Sequence, residues 1–286
     1  MNFPIKNKEE IENLIRSRSK EKIKLLKDLE KCLFNIRGYI FKMPKPGTPV
    51  VVGMSGGADT TTTTAILMHE FGLVVYPFFI NRGQRVYKYE KESVEFFSEL
   101  FSKRYGKLFH RPIEISVPIP ASEIKNDLTN KLRHGVGHPM RNSIIAEYGV
   151  QYAYSLENKG VHARDIFCSV VSSDGNYMYH STLTALRSQM LHIVTDMGDP
   201  EWQITSIAIE KELGFYFDKD VLVKWAHEYK LPLEKTRTCV ESGEIHCGIC
   251  ECCYDRKRSF EEAGIPDRIK YEDARPSDLL KSKSIV

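Results

Sequence analysis

Near the start of the chain, apolar side chains recur on one helical face. Leu26, Leu29, Leu33, Ile36 and Ile40 stand three and four apart. This pattern predicts a helix over residues 8–42. MPKPGTP (Met43–Pro49) ends it, because three prolines and a glycine cannot continue a helix. From Val50 the pattern becomes an alternation of short apolar runs and amphipathic stretches. VVVGM (Val50–Met54), LVVYPFFI (Leu73–Ile80), IEISVPI (Ile113–Ile119) and DIFCSVV (Asp165–Val171) read as strands. Between and after them, residues 60–71, 91–105, 142–158, 182–192 and 219–229 read as helices. Strands alternating with helices predict an α/β fold, a doubly wound parallel sheet covered on both faces. Ligands of such sheets sit at the carboxyl ends of the strands, near the point where strand order reverses.

Composition adds little to this picture. The 286 residues are 42% hydrophobic and 28% charged, ordinary for a soluble globular protein. A net charge of +3 gives no electrostatic argument for nucleic acid or a membrane surface. No apolar window is long enough to span a membrane, and the charged start lacks the apolar core of a signal peptide, so a cytoplasmic protein is expected.

The first chemically informative stretch is SGGADTTTTT, between the first strand and the first helix of the alternating part. Gly56 and Gly57 are expected to take positive φ and turn backbone amides inward. The helix start adds unpaired N–H groups and the positive end of the dipole. Five threonines in a row are poor helix formers, so Thr60 and Thr61 are expected to offer hydroxyls to the same anion. Thr63 and Thr64 are expected to pack or to bond back to the preceding turn. The bland alternative is a tight turn with Asp59 capping the helix. No Walker-type lysine follows the glycines, and the loop is not G-x-G-x-x-G.

The second informative stretch is CVESGEIHCGICECC. Cys239, Cys247, Cys250 and Cys253 give two C-x-x-C steps and four thiolates, the makings of a closed tetrahedral structural Zn²⁺ site. Cys252 is the spare, His246 an alternative ligand, and an iron–sulfur cluster the minority reading. Disulfides are disfavoured in a chain without an export signal.

A strand followed by S-G-G-x-D-[ST] resembles the pyrophosphate loop (PP-loop) of the N-type ATP pyrophosphatases, which have the adenine-nucleotide α-hydrolase-like fold. Combined with C-G-x-C-x-x-C-x-x-R-x-x-x-F-x-x-A-G near the end, the chain resembles the 7-cyano-7-deazaguanine synthase (QueC) family. CGICECCYDRKRSFEEAG carries that second motif, including Arg256 and Phe260. RGQRVYKYE resembles the family's Y-G-Q-R-H segment at Gly83, Gln84 and Arg85. HPMRNSIIA resembles its P-x-R-N helix start at Pro139, Arg141 and Asn142. FDKDVLVKW places Lys219 at the lysine of D-L-[ST]-K. The resemblance covers about residues 50–267 and implies the following organisation: residues 1–49 a helical extension, 50–235 the ATP pyrophosphatase domain, and 236–286 a zinc-binding lobe with the tail.

The resemblance further implies that Ser55, Gly56, Gly57 and Thr60 cradle pyrophosphate leaving from ATP, with Asp59 on Mg²⁺. Arg85, Arg141 and Lys219 supply positive charge, and Gln84 and Asn142 complete the nucleotide-binding set. The expected substrate is a deazapurine carboxylate, 7-carboxy-7-deazaguanine, joined to ammonia by an enzyme that is a homodimer. Two departures stand out. Arg82 replaces the tyrosine before Gly-Gln. Where the family has Y-P-D-C-R-x-x-F, this chain reads NYMYHSTLTAL (Asn176–Leu186), with Tyr179, His180 and Ser181 near the expected D-C-R. An altered substrate half suits the QueC-like branch found in anti-phage defence, in which the activated carboxylate is joined to another amine, such as a protein. A tRNA-modifying relative and a non-enzymatic nucleotide-binding protein are the remaining readings.

Overall fold

The computed structural model describes residues 3–129 and 139–280. Its centre is a five-stranded sheet of order β3-β2-β1-β4-β5. The strands are β1 (Pro49–Gly53), β2 (Val74–Asn81), β3 (Ile113–Ser116), β4 (Asp165–Cys168) and β5 (Gln203–Ser206). All pairings are parallel; Val51 of β1 lies opposite Tyr76 of β2 on one side and Ile166 of β4 on the other. Val50, Val51 and Val52 are fully buried, as expected of a central strand covered on both faces. The helices, in chain order, are α1 (Lys8–Ser17), α2 (Ile23–Arg37), α3 (Ala58–His69), α4 (Tyr87–Tyr105), α5 (Lys125–Thr129), α6 (Arg141–Leu156), α7 (Leu183–Met197), α8 (Lys219–Glu228), α9 (Glu251–Ala263) and α10 (Ser277–Leu280). None of the described helices is long and apolar enough to cross a membrane.

The alternation read from the sequence is the fold, with three differences. The first is β5, which the hydropathy pattern does not announce. Its residues are all buried, yet Gln203, Thr205 and Ser206 are polar. Each is satisfied by a specific partner: Gln203 donates to Asp165 and to the Lys42 carbonyl, Thr205 donates to Glu210, and Ser206 donates to the Val170 carbonyl. Buried polar groups with partners are tolerated in a core strand, and hydropathy cannot see the partners.

The second difference lies at residues 8–42, where one predicted helix is two. The chain unwinds at Arg18–Lys22 with no proline or glycine to cause it. Tertiary bonds cause it instead: the Lys20 N–H donates to the Gly175 carbonyl, and the Glu21 carboxylate accepts from the backbone of Leu183 and Thr184. The buried face of α2 also differs from the predicted one. It is Leu26, Glu30 and Leu33, while Ile36 is exposed and Ile40 lies past the helix end. Glu30 can be buried because Arg187 of α7 and Lys211 meet it. Phe3, Leu33 and Phe41 belong to the same hydrophobic core as the sheet, and Phe3 stacks on Phe217 at 5.4 Å.

The third concerns the threonines. Thr61 to Thr64 are buried in a helix packed on all sides, where threonine fills the volume of valine. Thr64 donates back to the Thr60 carbonyl at 2.7 Å, as expected. Thr61 does not reach the anion loop: its hydroxyl is buried without a partner and away from the cavity described below.

Candidate functional site

Strand order reverses between β1 and β4, and the loops after these two strands part to form a cavity of about 360 Å³. One end is the glycine loop. Gly56 has φ +78°, and a β-carbon there would stand 2.6 Å from the Glu90 carbonyl, so both conformation and space demand glycine. The Gly56 carbonyl accepts from Ser93 Oγ at 2.8 Å and from the Arg237 N–H at 2.9 Å, which fixes the turn. Gly57 departs from expectation: its φ is −73°, extended backbone open to any residue. Gly57 is the N-cap of α3 and supplies no capping side chain, so amides at the start of α3 lack an intrahelical partner. Asp59 lies in the first turn rather than at the cap. Ser55 Oγ and Thr60 Oγ1 lie 3.1 Å apart at the mouth of the loop. Together they make an anion-receptive corner built on backbone amides, two hydroxyls and a helix dipole.

Lys219 opens α8, oriented by its N-cap Asp218, whose carboxylate is gripped by Ser172 and Ser173 from the loop after β4. The Lys219 ammonium lies 3.5 Å from Asp59, 3.8 Å from Asp174 and 3.4 Å from Asp255. Burial acts against its charge, but the three carboxylates outweigh burial and hold its pKa above the ordinary lysine value. Burial pushes the Asp174 carboxyl up to about 6, with Lys219 opposing and Asp59 adding to the rise. With Arg258 3.6 Å from Asp255, three carboxylates face two cations, an excess of one negative charge.

The remaining cations split. Arg141, in the first turn of α6, lines the cavity, and its guanidinium Nε donates to Asn142 Oδ1 at 3.3 Å. Burial, then the nearby charge of Arg82, lowers its pKa from the usual arginine value. Asn142 also lines the cavity; the N-cap of α6 is Met140, so Asn142 is not a cap. Gln84 lines the cavity as a brace: its amide donates to the Ile80 carbonyl and to Glu90, and its oxygen accepts from the Arg82 N–H. Arg85 corrects the expectation placed on it. It points away, pairs with Glu241 at 3.7 Å, and its side chain is 72% exposed. The long residue that reaches the cavity from this segment is Arg82, at the position of the replaced tyrosine.

The sequence reading passed over Glu90, Asp174 and Asp255 and noted Arg82 and His180 only as departures. Asp174 had a signal: S-S-D-G directly follows the fourth strand, the place where an α/β sheet presents ligand-binding loops. His180 lines the far end of the cavity with its Nε2 buried and unpartnered. Burial, then the charge of Arg141, lowers its pKa, so the imidazole is neutral. Cys168 lines the cavity too, but burial pushes its thiol up to about 12, so it is no nucleophile.

In the cysteine lobe, Cys239, Cys247, Cys250 and Cys253 bring their sulfurs within 4.8 Å of one another. Sulfurs of a tetrahedral zinc site, at about 2.3 Å from the metal, stand roughly 3.8 Å apart, so the set fits. The backbone N–H groups of Glu241, Cys247, Cys250 and Cys253 point at these sulfurs at 3.4 Å and favour thiolates. His246 is not part of this convergent group; its Nε2 accepts from the Thr238 N–H at 3.2 Å. Cys252 faces the Lys219 side, and burial pushes its thiol up to about 12.

Three relatives share the name 7-cyano-7-deazaguanine synthase. The chain is 31% identical over 233 residues to the 7-cyano-7-deazaguanine synthase of Nautilia profundicola, covering 78% of this chain and 97% of that protein. The synthase of Desulfitobacterium hafniense is 30% identical over 77% of this chain and 92% of its own length. That of Methanothermobacter thermautotrophicus is 26% identical over 77% and 97%. Among solved structures, the U34-tRNA thiolase NcsA from Methanococcus maripaludis covers 84% of this chain and 75% of its own at 13% identity, with a TM-score of 0.36. Residues 49–264 match the model of the queuosine biosynthesis protein QueC, and the chain belongs to that family.

Proposed function

We propose that this chain uses ATP to adenylate the carboxylate of 7-carboxy-7-deazaguanine and then replaces the adenylate with an amine nitrogen, proceeding to the nitrile. The observation that carries the reading is continuity. Ser55 and Thr60 of the anion-receptive loop line the same cavity as His180. A carboxylate oxygen attacks the α-phosphorus and pyrophosphate leaves into the loop. Ammonia attacks the acyl carbon, AMP departs and the nitrogen loses a proton, giving the amide. With a second ATP, the amide oxygen is adenylated and leaves as AMP, while the nitrogen gives up its two protons and the nitrile forms.

The protein's part is alignment and charge. The start of α3 with Ser55 and Thr60 receives pyrophosphate, Arg141 and Arg82 face the anionic groups, and Lys219 fixes Asp59 and Asp174. Asp59 with Asp174 would hold Mg²⁺, which would neutralise phosphate charge. Cys239, Cys247, Cys250 and Cys253 would hold Zn²⁺ in a structural role, since four thiolates leave no open position. Metal analysis of the purified protein is expected to give about one zinc per chain, and Cys250→Ser to lose it. A cytoplasmic homodimer completes the reading.

The decisive test is mass spectrometry of the protein with ATP, Mg²⁺, 7-carboxy-7-deazaguanine and ammonium. AMP and the nitrile are expected; absence of AMP overturns the reading. A second reading draws on the replaced D-C-R segment: a defence enzyme that joins the activated carboxylate to an amine on a protein. AMP formed with no nitrile, and a deazaguanine adduct on a co-expressed protein, would decide for it. A tRNA-modifying role has less support, since the net charge is only +3.

A further inference from the structure

The unwound segment Arg18–Lys22 lies outside the family match, yet its five residues all bond to the stretch 172–184, which brings Asp174, His180 and Ser181 to the cavity. Glu21 is buried, and its carboxylate accepts from the Leu183 N–H at 2.6 Å, the Thr184 N–H at 3.1 Å and the Thr184 hydroxyl at 2.6 Å. Thr182, the N-cap of α7, accepts from the Ala185 N–H at 3.0 Å. The first three amides of α7 are thus all satisfied, two of them by a residue far away in sequence, and the carboxylate lies at the positive end of the dipole. Lys22 adds its N–H to Thr184 Oγ1 at 3.2 Å.

The same segment also holds the loop after β4. Arg18 donates to Ser172 Oγ at 3.2 Å, Ser19 to the Asn176 carbonyl at 2.8 Å, and the Lys20 N–H to the Gly175 carbonyl at 3.0 Å. The ammonium groups of Lys20 and Lys22 lie 5.2 and 5.7 Å from the centre of the Tyr179 ring. Both ends of the stretch from Ser172 to Thr184 are therefore tied to residues 18–22. That stretch carries Asp174, His180 and Ser181 into the cavity. It is also where this chain departs from the family's D-C-R pattern.

We infer that residues Arg18–Lys22 form the outer support of the substrate end of the cavity, with Glu21 as a positioning residue and His180 as the side chain that meets the heterocycle. The inference rests on the proposed function for the identity of the substrate. Its physical basis is the bonding of Arg18, Ser19, Lys20 and Glu21 to both ends of the stretch that brings His180 to the cavity wall, where its imidazole can meet a ring edge that carries donors and acceptors. A neutral imidazole offers one donor and one acceptor to such an edge.

The test is a split of steady-state constants. In His180→Ala, loss of one buried hydrogen bond is expected to raise KM for 7-carboxy-7-deazaguanine about tenfold, with KM for ATP within about twofold. Glu21→Ala is expected to shift the same constant in the same direction, and Glu21→Gln, which keeps an acceptor, to shift it less. Parallel rises in both KM values, or no change in either, would overturn the inference. Hydrogen exchange reads the positioning separately: in Glu21→Ala the amides of Leu183 and Thr184 are expected to exchange faster while those of Ser55–Thr60 do not. Should the wild-type protein make no product from this substrate, the functional reading and the ligand assigned to His180 fall together. Unchanged exchange at Leu183 and Thr184 would then overturn the positioning as well.

Discussion

Arg187 and Lys219 each stand at the centre of a charge cluster, the first buried and the second half-buried, and the two follow different rules. Around Arg187 the charges balance: Arg187 and Lys211 face Glu30 and Glu210, with Arg187 and Glu210 fully buried and joined by two hydrogen bonds, at 3.0 and 2.6 Å. Nothing is left over for a ligand. Around Lys219 one ammonium faces three aspartates, each about one-third exposed or slightly less; Arg258 also pairs with Asp255, which leaves one negative charge in surplus, and Asp174 lines the cavity. Burial with balance makes a structural joint. Burial with surplus charge beside an open cavity makes a site that a cation or a charged substrate can complete.

The comparison is broken most forcefully at Arg187. Arg187→Met leaves Glu210 buried without its counter-ion and Glu30 with Lys211 alone, and urea unfolding is expected to show a loss of about 3–5 kcal/mol. Asp59→Asn, in the other cluster, is expected to lower pyrophosphate release by about 100-fold or more while leaving the melting temperature nearly unchanged. If it unfolds the protein instead, the second cluster is structural too. A pH profile sharpens the point. Burial raises the Asp174 carboxyl to about 6, so it carries its charge only above that value. In the Mg²⁺-free protein, carbon-13 NMR is expected to show an aspartate carboxyl titrating near 6, and Asp174→Asn to remove that titration. The smallest effect belongs to Arg85, whose ion pair with Glu241 is exposed. Arg85→Ala is expected to change stability by under about 0.5 kcal/mol, with both KM values within twofold.

The difference between the clusters also explains what could be read from the sequence. Strands β1 to β4, α3, the glycine loop and the four metal-competent cysteines were legible because local pattern dictates them: period, glycine at a turn, C-x-x-C spacing. Arg141, Asn142 and Lys219 were found by motif. Arg85 was misplaced and Arg82 noted only as a departure because a motif fixes position in the chain, whereas the direction of each side chain depends on how Gln84 ties the turn to Glu90. Thr61 was misjudged because hydroxyls suggest ligand contact, and the pattern of threonines does not reveal that α3 is buried on all sides. Asp255 and the break at Arg18–Lys22 depend on contacts between distant parts of the chain, which no local window contains.

Finally, the region recognisable by kinship and the region that holds itself together have different borders. A shortened chain cut at residue 49 would keep nearly every residue shared with the relatives. It would also lose Phe3, Leu33 and Phe41 from the central core, Glu30 from beside Arg187, and the carboxylate that closes the start of α7. The part of the chain that kinship does not cover is in effect a roof, and the roof carries weight.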